Sequence, residues 1–85
     1  MKTIRGTITD ISYENQEVGI RTEDYLDTVS SQDGKVFVAV SEANEKLIND
    51  RLVDSFKDNS SMQEKMSGTF TIDGKILSSF QWDYQ

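Results

Sequence analysis

Eighty-five residues leave room for one domain, residues 1–85, with one modest core. The chain contains no cysteine, histidine or proline, which removes disulfides, thiolate metal sites, the commonest general base and the commonest transition-metal ligand. A formal charge of −6 and 35% hydrophobic residues border on the composition of disordered chains, but the apolar residues are too regularly patterned for that state.

The first predicted strand runs from Lys2 to Tyr13 and changes face part-way. Ile4, Gly6 and Ile8 alternate on one parity, whereas Ile11 and Tyr13 resume on the other. One extra residue at Thr9 or Asp10, a β-bulge, keeps both apolar sets inside while bending the strand. A turn follows at Glu14–Gln16, with Asn15 the residue most tolerant of positive φ. Val18 and Ile20 then alternate along EVGIRTED as the second strand of a hairpin.

Residues 25–34, YLDTVSSQDG, read as a loop closed by the Asp33-Gly34 turn signal. KVFVAV is the clearest strand, and its unbroken apolar run from Val36 to Val40 predicts cover on both faces. Phe37 has the opposite parity to its three valines, so it either packs under the helix or is exposed.

Ser41 then has the chemistry of a helix N-cap, and Glu42 suits the first turn. Ala43, Leu47, Ile48, Leu52 and Phe56 form the expected core-facing stripe, opposite Asn44, Glu45, Asp50 and Asp54. Lys57 and Asn59 provide the stop. Ser61–Glu64 has capping-box form and predicts at most a short helical turn.

The chain finishes with a hairpin. Phe70 and Ile72 alternate in SGTFTI, Asp73-Gly74 signals a type I′ turn, and Ile76, Phe80, Trp82 and Tyr84 share one parity in the last strand.

The resulting order, β-β-β-α-β-β, resembles the OB-fold, a small five-stranded Greek-key barrel. The resemblance is one of element order over the whole chain and rests on no diagnostic motif. It implies a mainly β domain with one helix, a long bent first strand, and glycines such as Gly6 and Gly68 at crowded bends. A β-grasp-like α+β arrangement is the alternative, but it leaves KVFVAV as an extra strand.

Candidate chemistry is sparse. Ser30-Ser31 has no histidine to activate it, and no glycine-rich loop suits a phosphate. Glu23, Asp24 and Asp27 offer oxygens to a hard cation but lack calcium-loop spacing, so they read as a solvated acidic loop. The expectation is a non-enzyme with no catalytic residue, metal or cofactor.

Binding candidates are the aromatics Tyr25, Phe37, Trp82 and Tyr84, with Arg21, Glu23, Asp24 and Asp27 as charged neighbours. Phe80, Trp82 and Tyr84 also suit a core, with Trp82 and Tyr84 protruding past its end. OB-like barrels often stack single-stranded nucleic acid on aromatics in a basic groove. Here Glu14–Asp33 holds six acidic residues against Arg21 alone, so charge disfavours nucleic acid. Arg5, Arg21 and Lys35 could form a positive strip, but the favoured reading is that they balance nearby carboxylates.

The leading expectation is therefore an acidic domain that binds a protein, with Phe37 as its best anchor. An acidic mimic of DNA that inhibits a nucleic-acid enzyme, of a phage or mobile element, is one alternative, and single-stranded nucleic-acid binding is the other. No apolar run approaches a membrane span, and MKTIRGTITD lacks the apolar stretch of a secretory signal. The expected setting is the cytoplasm, with no membrane contact.

Overall fold

The computed structural model describes residues 1–58 and 61–84. Asn59, expected in the helix stop, lies outside the described residues. The strands are β1 (Lys2–Ser12), β2 (Glu17–Arg21), β3 (Lys35–Ala39), β4 (Ser67–Asp73) and β5 (Ile76–Trp82). The helices are α1 (Glu42–Lys57) and the single turn α2 (Met62–Lys65), both between β3 and β4.

The strands close a barrel in the order β1-β2-β3-β5-β4. This is the OB-like Greek-key arrangement and not a β-grasp. β1 makes closure possible by pairing twice, with β4 through Lys2–Thr7 and with β2 through Thr7–Ser12. The register between β1 and β2 shifts between Ile8 and Asp10, which leaves Thr9 as the extra residue of a bulge. Ile8 and Ile11 thereby both face inward, opposite Ile20 and Val18. Tyr13 does not join them; it is exposed and its hydroxyl donates to Asn49 on α1.

Gly6 and Gly68 stand directly opposite each other across β1 and β4. A Cβ at Gly68 would lie 2.2 Å from the carbonyl oxygen of Gln81, so glycine is what lets β4 approach β5 there. The remaining seam is thin: β3 meets β5 in parallel at the single pair Ala39–Ile76, where the Ala39 N–H donates to the Lys75 carbonyl at 2.9 Å.

The core contains Ile4, Val18, Ile20, Val36, Val38, Phe70, Ile72 and Leu77, with Ile48 of α1 and Met66 packed onto it. Leu26 joins the same core from the β2–β3 connection, which is pinned by bonds from Lys2 to the Tyr25 carbonyl and from Thr28 to the Gly74 carbonyl.

Three local expectations need correction. Positive φ in the first turn falls on Gln16 and not on Asn15. The final hairpin closes on Asp73–Ile76, so its two loop residues are Gly74 and Lys75. Only Gly74 has positive φ there, which is the type II′ pattern. The second strand ends at Arg21, before EVGIRTED is complete, because Thr22 and Asp24 turn back onto Arg5.

The helix also presents a different face. Ser41 caps it as expected, accepting from the Asn44 N–H at 3.2 Å. Ser61 makes no such bond at the start of α2. Ile48 and Ser55 are the buried residues of α1, while Ala43, Leu47 and Phe56 are exposed. Each step of four residues advances about 40° round a helix, so a chain of such steps walks Phe56 off the core. Asn44, expected outside, instead donates to the Leu77 carbonyl of β5 at 3.3 Å.

Candidate functional site

Alternation along β1, β2 and β3 sorts their residues into an inner and an outer face. Ile8–Ile20–Val36 and Ile11–Val18–Val38 pair across the strands and point inward. The rows between them point out: Thr7–Arg21–Lys35, Asp10–Gly19–Phe37 and Ser12–Glu17–Ala39. Ile76 of β5 extends the last row beside Ala39.

Phe37 occupies the middle row and is 37% exposed. β3 is therefore covered on one face only, contrary to the expectation from its apolar run. The run reflects an apolar outer patch, since Ile76 beside it is 54% exposed. The Phe37 ring leans across Gly19, where an added Cβ would lie 2.8 Å from its Cε1 atom. From the other side the Asp10 carboxylate fills the same space, its Oδ2 atom 2.9 Å from that position.

The bulge places Asp10 there. Its Oδ2 accepts from Lys35 Nζ at 3.0 Å and from Thr9 Oγ1 at 2.9 Å. The Lys35 hydrogen bond, then that from Thr9, hold the carboxyl below the usual carboxylate range, and the charges of Lys35 and Arg21 act in the same direction. Lys35 and Arg21 are like charges directly opposite one another, and Asp10 offsets their repulsion.

Two of the three cations are balanced by carboxylates, as expected: Lys35 by Asp10 and Arg5 by Asp83. Arg5 makes a bidentate pair with Asp83 at 2.8 and 3.0 Å, which raises the Arg5 pKa further through that hydrogen bond and charge. Next to the outer face lies an open cleft of about 750 Å³ bounded by Arg5, Arg21, Glu23, Asp24 and Asp83. Asp24 accepts from the Arg5 backbone N–H at 2.7 Å, so its carboxylate stands in for a strand partner of β1 just past the point where β2 ends.

The eight binding candidates fall into separate places. Phe37 and Arg21 share the outer face, and Glu23 and Asp24 border the adjoining cleft. Tyr25 and Asp27 sit on the β2–β3 connection, with Lys2 5.6 Å from the Tyr25 ring centre. Trp82 does not protrude: it packs edge-on against Phe70 and Phe80 beneath the Arg51 guanidinium, 5.1 Å from the ring centre. Tyr84 is exposed, with its carbonyl accepting from Arg51.

The carboxylates of residues 14–33 do not form one array. Glu14 and Glu17 lie at the start of β2, whereas Glu23, Asp24, Asp27 and Asp33 follow its far end. Among the described residues no group of three or more acidic side chains could hold a metal ion.

Ile76, Asp10 and Gly19 were not among the candidates. Ile76 was assigned inward on parity, but β5 carries its own register shift, opposite Thr71 and Ile72, that leaves Ser78 unpaired. Leu77 and Phe80 both turn toward the core as a result. Their separation of three is the same signal that revealed the bulge between Ile8 and Ile11.

Searches of family models, of curated proteins and of solved structures found no match to this chain. No helix among the described residues is long and apolar enough to cross a membrane.

Proposed function

We propose that this chain is a non-enzymatic binding domain that docks a protein on the outer face of β1–β2–β3. The observation that carries the reading is the patch of Phe37, Ala39 and Ile76 on adjoining strands. It is surrounded by Asp10, Glu17, Arg21 and Lys35. An exposed aromatic anchor inside a polar rim is the usual anatomy of an interface centre.

The rim sums to zero charge, with two acids and two bases, although the whole chain carries −6. A phosphate backbone requires net positive neutralisation, so this face suits a protein better than a nucleic acid. The cytoplasm is the setting in which we place this activity. The DNA-mimic alternative loses its main support because the acidic segment is divided between the two ends of β2.

The test is a photo-crosslinking amino acid, benzoylphenylalanine, at position 37 or, as a control, at Thr69 on β4, expressed in the cells of origin. The reading expects a discrete protein adduct from position 37 and none from 69. Adducts to nucleic acid, no adduct, or identical bands from both positions would overturn it.

A further inference from the structure

The charges on the outer face are arranged symmetrically. On β2, Glu17 and Arg21 stand two residues to either side of Gly19, which lies in the row with Phe37. At about 3.3 Å per residue each is roughly 7 Å from that row. Neither forms an ion pair within the chain among the described residues.

A two-fold axis lying in the plane of the face, along the Asp10–Gly19–Phe37 row, turns the face onto itself with its strands reversed. Under that operation Arg21 of one copy meets Glu17 of the second, and Glu17 meets Arg21. On the axis Phe37 meets Phe37 and, at the other end of the row, Asp10 meets Asp10. Lys35 arrives over the small Ala39 and keeps its own bond to Asp10.

From this we infer that the occupant of the face is a second copy of this chain, packed sheet on sheet through Phe37 with two reciprocal Glu17–Arg21 ion pairs. The inference rests on the docking reading above and names its partner. Self-association through any acidic surface would oppose two charges of −6. This face carries Asp10, Glu17, Arg21 and Lys35 and is neutral overall, and the one like-charge approach, Asp10 to Asp10 on the axis, is offset because each Asp10 is paired with its own Lys35. An isologous contact also closes on itself, as the common two-fold dimer does.

The experiment is sedimentation equilibrium of the purified full chain. It should run from about 10 µM to about 1 mM, to bracket the Kd on the order of 0.1 mM expected of a face smaller than the usual ~800 Å² per partner. Dimer should accumulate with concentration. Phe37→Asp, with its fold checked by circular dichroism, should raise the Kd at least about tenfold. Glu17→Arg alone and Arg21→Glu alone should each weaken association by about tenfold, since each change breaks both symmetry-related pairs. Combined in one chain, the two reversals restore the pairs, and the Kd should return to within about threefold of the starting value.

A chain that stays monomeric at the highest concentration overturns the inference, as does a dimer insensitive to Phe37→Asp or a folded double reversal that does not recover. If the purified chain is monomeric while position 37 still crosslinks to a different protein, this inference falls and the docking reading stands. If position 37 also crosslinks to nothing, both fall.

Discussion

Gly68 has no room for a single methyl group: a Cβ there would lie 2.2 Å from the Gln81 carbonyl oxygen and 3.0 Å from the Trp82 Cα. Those atoms are backbone and cannot swing aside. Gly68→Ala should therefore cost about 2–3 kcal/mol in urea unfolding. Gly19→Ala meets the ends of the Phe37 and Asp10 side chains, which can shift, and the Asp10 Cβ at 3.1 Å, and should cost less than Gly68→Ala, about 1 kcal/mol. Asp10 provides a pH test on the same face. Its carboxyl is held below its ordinary range by Lys35 and Thr9. Its contribution to stability is thus present above the unfolded-state pKa of about 3.9 and is lost as pH falls through the lower folded value. Carboxyl titration by NMR should place Asp10 below an ordinary aspartate, and Lys35→Met should move it back up. Asp10→Asn should leave the acid limb of the stability curve shallower.

At the scale of elements, the two bulged strands show what patterning can and cannot convey. In β1 the change of parity falls between two isoleucines on one strand, so the slip at Thr9 was readable, and with it the bend that closes the barrel. Deleting Thr9 would leave Ile8, Asp10 and Ile11 in plain alternation and remove the bend with which β1 reaches both β2 and β4. It should lower the melting temperature by more than about 10 °C in a calorimetric scan. A glycine inserted between Ser30 and Ser31, both exposed, should cost less than about 1 kcal/mol. In β5 the same three-residue signal, Leu77 to Phe80, was masked because Ile76 shares parity with Phe80 and is equally apolar. A hydrophobic residue turned outward for docking is indistinguishable, on hydrophobicity alone, from one turned inward for packing. That ambiguity hid Ile76 and assigned Leu47 and Phe56 to a buried stripe. Phe37 escaped it because its parity opposed three valines at once. Asp10 and Gly19 became part of the site only through register across strands, which local sequence does not encode.

For the whole molecule, the ring is held unevenly. β1 pairs along most of its length with β2 and β4, and β4 pairs with β5 at six positions, but β3 joins β5 at one pair. Opening is easiest where few bonds and little buried surface must be given up. Native-state hydrogen exchange should therefore find the Ala39 amide, bonded to Lys75, released by a smaller opening free energy than the amides of Phe70 and Val18. Equal protection at all three would mean that the seam opens only with global unfolding.

The double pairing of β1 also orders events in time. Its first half waits for β4, which is made roughly 60 residues later, or about 3–12 s at ordinary rates of synthesis. Throughout that interval β1, β2 and β3 can form a three-stranded meander whose outer face, with Phe37, is already assembled. Its inner face, carrying Ile8, Ile20 and Val36, still lacks Phe70 and Ile72. The emerging chain is therefore most exposed to aggregation on the surface that the finished barrel hides, and nascent-chain protection is needed until β4 leaves the ribosome.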